Sequence, residues 1–408
     1  MKKITTLLFL ALAFFACNKA ENEPQAQALT PSEKSAKIVA ADNQFGLELF
    51  QKINTLQEEP KNTMISPLSV SLALAMVYNG AEGNTKVQME QMLHKAGMSP
   101  EDLNQNYKDL VAGLTSHDPK VELSISNAIY YLNTFSVKDL FITTNQNYYQ
   151  AEVEPLDFSN ETETLNTVNG WVNEQTKGKI DKIIEKVEGV DVMYLLNAIY
   201  FNGKWTYQFE SSKTMNMPFT KEDNTVVQAP TMMIENPFNY YSDQNFQLLE
   251  LPYGNGKYSM LMFLPQTGKT TNDVISLLNP ESVNGWLEQM TEQKKKVFLP
   301  KFEFAFDNSL VDKLQALGMT DAFNEGKANL DGISEGVDLV ISEVMHKSYI
   351  KVDEQGTEAA AVTGITVSTR SIEPDNSFRV DHPFVFVIRE KDSQAILFIG
   401  KVMNPLQK

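Results

Sequence analysis

The chain has 408 residues, is 42% hydrophobic and 21% charged, and carries a formal net charge of −17. Length alone would allow two average domains, and the acidity disfavours nucleic acid and anionic lipid surfaces, so no nucleic-acid partner is expected. Its single cysteine excludes an internal disulfide.

Residues 1–16 combine a short basic start, Met1-Lys2-Lys3, with an apolar run from Ile4 to Ala16. The run is too short for a membrane span and has the size of an export signal. Cys17 follows directly, where a bacterial lipoprotein signal places its lipidated cysteine; a plain cleaved signal with an incidental cysteine is the alternative. Residues 17–36, polar and rich in Ala, Glu, Gln and Ser, read as the lipidated cysteine and a flexible tether. The folded domain is expected over 37–408. The expected location is therefore export and attachment to the outer membrane through lipid on Cys17, with the periplasmic or the surface-exposed side left open.

Further along, Phe45, Leu47, Leu49, Phe50 and Ile53 populate an early helix. Leu68 to Tyr78 is an apolar helix that starts at Ser66-Pro67, a capping serine followed by proline in the first turn. Leu123 to Leu132, Val192 to Phe201, Tyr258 to Leu264 and Val297 to Phe306 read as strands, and Asn308 to Leu317 returns to helix with Gly318 as its stop. Ile341 to Glu354 largely alternates, and Phe378 to Ile388 and Ala395 to Val402 read as buried strands joined through Lys391–Gln394. The mixture is α+β, with helices packed on sheets.

Between these strands, Glu354 to Pro374 begins with small residues and then alternates. One face carries Thr357, Ala359, Ala361, Thr363, Ile365 and Val367, which suits burial. The other carries Glu358, Ala360, Val362, Gly364, Thr366, Ser368 and Arg370. No proline interrupts the run before Pro374, so a central strand position is open to it. The segment can be loop or strand; an ordinary edge strand with a flexible lead-in is the plainer reading.

Ordinary catalytic chemistry is thin. The four histidines, His94, His117, His346 and His382, form no metal-binding motif, and no metal site is expected. Gly332-Ile-Ser-Glu-Gly336 matches a nucleophile elbow around Ser334, but polar residues precede it and a strand follows, so it reads as a surface turn. Gly268-Lys269-Thr270 resembles the end of a phosphate loop, yet Phe263 stands where the first glycine is required. His346, in an alternating strand, reads as a hydrogen-bonded core histidine.

Seven separated motifs carry a resemblance: NTMISPLSVS at 62–71, LLNAIYFNGKW at 195–205, LPKF at 299–302, EVMHK at 343–347, EQGTEAAA at 354–361, DHPF at 381–384 and FIGK at 398–401. In this order they resemble the serpins, serine protease inhibitors that work by loop insertion. Gln355, where a charged residue is usual, and Val362, in place of a fourth alanine, are mild departures. The resemblance implies several helices packed on three β-sheets, with an exposed reactive loop over 355–377 that can insert into the main sheet.

It also implies roles for particular residues. The hinge would be Gly356, Thr357, Glu358, Ala359, Ala360 and Ala361, with the Thr357 side chain in solvent before cleavage. A polar cluster where the sheet parts would comprise Ser66, Ser69, Asn197 and His346. Trp205, Lys301 and Glu354 would mark the top of the sheet, with Lys301 and Glu354 as an ion pair. The family's spacing places the acyl side of the scissile bond fourteen residues after Gly356, at Arg370, giving Arg370-Ser371; a shift to Thr369 or Ser371 stays open. The chain is then expected to be a non-enzymatic, cofactor-free monomer that traps a trypsin-like serine protease in a covalent 1:1 complex, with cross-inhibition of Arg-specific cysteine proteases. A non-inhibitory, serpin-like binding lipoprotein is the alternative.

Overall fold

The computed structural model describes residues 32–189, 191–336, 339–357 and 376–408. Helix α1 (Glu33–Leu56) starts ahead of residue 37, where the Ser32 side chain accepts the Ser35 N–H. Its buried Phe45, Leu49, Phe50 and Ile53 recur at helical spacing and face the core. After β1 (Thr63–Ile65) comes α2 (Pro67–Tyr78), begun by the Ser66 cap and Pro67 as the sequence predicts. Apolar on nearly every side, α2 is an internal helix.

Next are α3 (Gly83–Met92) and α4 (Pro100–Ser116), the latter capped by Ser99 and burying Leu103, Tyr107, Leu110 and Leu114. Strands and helices then alternate: β2 (Val121–Leu132), α5 (Asp139–Tyr149), β3 (Glu152–Leu156), α6 (Glu161–Gln175) and β4 (Met193–Lys204). A meander follows through β5 (Met215–Thr220), β6 (Val226–Ser242), β7 (Phe246–Tyr253) and β8 (Tyr258–Pro265), then α7 (Thr271–Leu277) and α8 (Pro280–Glu288).

Two predicted elements change here. The single strand expected over Val297–Phe306 is split into β9 (Thr291–Pro300) and β10 (Phe302–Ser309), which belong to different sheets. The chain crosses at Lys301, whose N–H donates to the Pro230 carbonyl at 2.8 Å. The helix expected over Asn308–Leu317 shrinks to α9 (Val311–Ala316) because Asn308 and Ser309 complete β10 against His346 and Met345. Gly318 ends it with φ of 109°, a conformation that favours glycine. The remaining strands are β11 (Met345–Val352), β12 (Gly356–Thr357), β13 (Ser377–Arg379), β14 (Phe384–Glu390) and β15 (Ile396–Val402).

Among the described residues one sheet has six strands in the order β10-β11-β12-β4-β2-β3. The other has nine, β1-β15-β14-β8-β7-β6-β9-β13 with β5 paired to β6. Long β6 pairs with β5 and β9 and, at its far end, with β7. It therefore merges into one hydrogen-bonded network what the sequence reading treats as two of three sheets. Every residue of β8, β14 and β15 is buried, so this part of the sheet is covered on both faces. The main core lies between the sheets, where Phe302 meets the Phe384 and Phe386 rings at 5.8 Å. A smaller core packs Val168, Trp171 and Val172 of α6 on Ala128, Tyr130, Leu196 and Ala198 of β2 and β4.

Candidate functional site: a parted strand pair

In the six-stranded sheet, β4 and β11 are held apart by a two-residue strand. β12 is antiparallel to both: Thr357 lies opposite Val352 of β11 and Gly203 of β4, and Gly356 opposite Lys204. Beyond β12, no strand among the described residues lies between Met345–Lys351 of β11 and Met193–Asn202 of β4. The gap holds a cavity of about 760 Å³ lined by Leu195, Asn197, Met345 and His346, with Ser69 and Ala73 of α2 as its floor.

Entry to this gap is narrow. A Cβ on Gly356 would lie 2.1 Å from the Gly203 carbonyl oxygen, so only glycine fits there. The next residue overturns an expectation: Thr357 is already buried in the sheet of the uncut chain rather than in solvent. Its hydroxyl lies 2.5 Å from that of Tyr253, which satisfies the polar group at its buried position. The paired glycines at 203 and 356 let the backbones close, and Tyr253 supplies a partner that a linear reading of the hinge does not reveal.

Trp205 braces this entrance. Its ring stacks on Tyr253 at 4.4 Å, its indole N–H donates to the Asp353 carbonyl at 2.9 Å, and its backbone N–H donates to the Gln355 carbonyl at 2.8 Å. Lys301 and Glu354 do meet, with Nζ 2.8 Å from Oε2, and Thr214 donates to the other Glu354 oxygen at 2.7 Å. Burial works to raise the Glu354 pKa, but hydrogen bonds from Lys301 and Thr214 override it and leave it lowered. Asp353, which the sequence reading passed over, is wholly buried and accepts the Gln355 N–H at 2.9 Å, closing the turn into β12. Burial pushes its carboxyl up.

The polar cluster is assembled at the bottom of the gap. His346 Nε2 accepts the Ser66 backbone N–H at 3.1 Å, and the Ser66 hydroxyl accepts from Ser69 N–H at 3.2 Å as the α2 cap. The Ser69 hydroxyl donates to Asn197 Oδ1. Asn197 in turn donates to Asn127 at 2.7 Å, and Asn127 to the Tyr149 carbonyl at 2.7 Å. Asn127 and Ser348, which donates to the Met64 carbonyl at 2.8 Å, extend the cluster beyond the predicted residues. Their signal in the sequence is a polar residue on an inward strand position.

Burial lowers the His346 pKa to about 4, so the imidazole is neutral at pH 7. With Nε2 occupied by a backbone N–H, it is not placed to take a proton from Ser66 or Ser69. The arrangement is an exchangeable hydrogen-bond network rather than a nucleophile and base. Ser334, expected on a surface turn, is buried instead, in a segment where Gly332 packs on the Gly80 backbone.

Residues 358–375 join β12 to β13 and lie outside the described residues. The predicted hinge positions Glu358, Ala359, Ala360 and Ala361, the bond Arg370-Ser371 and the lipidation site Cys17 all fall outside that set.

Comparison with known proteins agrees across the chain. A sequence model of the family described as "Serpin (serine protease inhibitor)" matches residues 40–405. The chain is 35% identical over 380 residues to the leukocyte elastase inhibitor of Xenopus laevis, covering 90% of this chain and 99% of that one. It superposes on the thermophilic serpin tengpin in its native state with a TM-score of 0.82 and 31% identity, covering 93% and 97% of the two chains. It also superposes on thyroxine-binding globulin in complex with thyroxine, with a TM-score of 0.82 and 27% identity, covering 90% and 99%.

Proposed function

The chain belongs to the serpin family, and on that premise we propose that it is a suicide-substrate inhibitor of trypsin-like serine proteases, cleaved at Arg370-Ser371. The arginine side chain offers the charge-assisted, bidentate contact that an acidic specificity pocket takes. The protease serine attacks the Arg370 carbonyl and releases the amine of Ser371, leaving an acyl-enzyme. Insertion of the freed segment then distorts the protease before water completes the reaction. No turnover follows. An Arg-specific cysteine protease would meet the same bait.

The observation that carries this reading is the register of β12. If a strand continued the pairing of Thr357 with Gly203 and Val352, Ala359 would come opposite Phe201 and Ile350, and Ala361 opposite Ile199 and Ser348. In the same extended register Thr363 would come opposite both Asn197 and His346. A strand begun at Gly356 would thus meet the polar cluster with a hydroxyl on its inward face. Along β4 the gap accepts residues through 367, about ten beyond β12; at about 1 kcal/mol of net hydrogen bonding each, insertion releases on the order of 10 kcal/mol. An acyl-enzyme whose deacylation barrier rises by a few kcal/mol is already stalled by orders of magnitude.

The test is incubation with trypsin followed by denaturing electrophoresis and mass spectrometry. A covalent 1:1 adduct and a released C-terminal peptide beginning at Ser371 are expected. Cleavage there without any adduct would favour the non-inhibitory binding role instead. We further propose lipid attachment at Cys17, supported by the cysteine's place directly after the apolar run, which would hold the inhibitor at a membrane; the membrane face it occupies is left open.

A further inference from the structure

His117, Glu390 and Asp392 meet outside the parted strands, with the His117 ring 6.0 Å from that of Tyr258. His117 is the C-terminal cap of α4, Glu390 is the last residue of β14, and Asp392 lies in the turn to β15. One His117 ring nitrogen and one oxygen from each carboxylate lie within 4.8 Å of one another. The side chains of His117 and Glu390 are 1% and 0% exposed, and that of Asp392 is 28% exposed.

His117 Nε2 lies 2.9 Å from Glu390 Oε1 and 3.4 Å from Asp392 Oδ2. Despite this proximity it makes no hydrogen bond. A nitrogen so deeply buried and so close to two carboxylates, yet off-axis for both, is unusual for a structural histidine. Ligand atoms at zinc bond lengths of 2.0–2.2 Å in a tetrahedral shell stand about 3.3–3.6 Å apart; the 3.4 Å separation falls in that range, and the 2.9 Å pair would open by about half an ångström around an ion. The supporting contacts also suit a metal shell. Glu390 Oε2 accepts from the Ser393 N–H at 2.6 Å and its hydroxyl at 2.5 Å, and Oε1 accepts the Asp392 N–H at 2.8 Å. Such outer bonds fix ligand orientation. Lys257 lies 2.7 Å from Asp392 Oδ2 and offsets one of the two carboxylates.

We propose that His117 Nε2, Glu390 Oε1 and Asp392 Oδ2 form a binding site for a divalent transition metal of the zinc class, with a fourth position open to water. The ion ties the end of α4 to the β14–β15 turn and leaves the reactive segment untouched. No short motif announces it, because the ligands come from opposite ends of the chain.

The test titrates the metal-free full-length chain with Zn²⁺ alone in a calorimeter, with Co²⁺ absorption as a second readout of coordination. One-to-one binding and a tetrahedral cobalt spectrum are expected, both lost in His117→Asn. Asp392→Asn, at a partly exposed position that leaves the core intact, weakens binding and quenches the cobalt signal; it carries the test if the histidine variant fails to fold. Absence of one-to-one binding by the wild type overturns the proposal. Equal binding by wild type and Asp392→Asn also overturns it, as an adventitious ion only, and leaves a buried His117–Glu390 ion pair as the cluster's role.

Discussion

Thr357→Arg tests the hinge where its geometry is tightest. In the uncut chain Thr357 is 4% exposed, flanked by Gly203 and Val352 and bonded to Tyr253, with no acidic partner among the contacts described there. Leaving an unpaired guanidinium in that position costs several kcal/mol. The chain can avoid this by lifting β12 out, giving up roughly four hydrogen bonds at about 1 kcal/mol each. The two costs are similar, and neither exceeds what a domain of this size sustains, so the variant should fold. Full insertion offers no such escape, because residue 357 must then lead a buried strand. A penalty of about 3 kcal/mol slows insertion relative to deacylation by roughly a hundredfold. The assay is residual trypsin activity against the molar ratio of inhibitor, with electrophoresis of the products: wild type forms the covalent adduct, Thr357→Arg is cleaved and released, and Thr357→Ser, which keeps the hydroxyl, behaves as wild type. An arginine variant that still traps trypsin at a one-to-one ratio would refute the hinge argument.

Arg370→Leu should lose trypsin inhibition and gain inhibition of proteases with apolar pockets; unchanged trypsin trapping, with the product still beginning at Ser371, would displace the assigned bond. Radiolabelled fatty acid should mark the wild-type chain in cells but not Cys17→Ser, and equal labelling of both would remove the proposed anchor. His346 has a folded pKa of about 4 against an ordinary 6.5, so the unfolded chain takes up a proton that the folded chain excludes as pH falls between these values. Its contribution is full above pH 6.5 and is lost toward pH 4, by about 3 kcal/mol in all. Denaturant unfolding at pH 7 and pH 4.5 should show a larger loss for wild type than for His346→Gln, and equal losses would contradict the burial argument.

Local patterns in the sequence reveal elements that local physics controls. Ser66-Pro67 starts α2 because a capping hydroxyl and a fixed φ act within one turn, and Gly318 ends α9 for a comparable reason. The strand from Met345 to Val352 follows its alternation, and the motifs around Asn197 and His346 put both residues on the cluster. What stays hidden depends on partners distant in sequence. Pro300 marks a local break before Lys301, but nothing local says that β9 and β10 go to different sheets. Thr357 looks like a solvent-facing hinge residue until Gly203 and Tyr253 are brought against it. Asn127 reads as a polar residue on a strand face otherwise carrying Val121, Leu123, Ile125 and Ile129 until Asn197 donates to it.

The central claim is that the uncut chain holds a gap which its own cut loop fills. It is tested most directly by melting the intact protein beside protein nicked at Arg370-Ser371 by a protease that does not remain bound, with both fragments retained. Filling the gap between β4 and β11 adds on the order of 10 kcal/mol of strand pairing, so the nicked protein should melt far above the intact one, and Thr357→Arg should gain much less from the same cut. A nicked wild-type protein that melts at the temperature of the intact chain would contradict insertion.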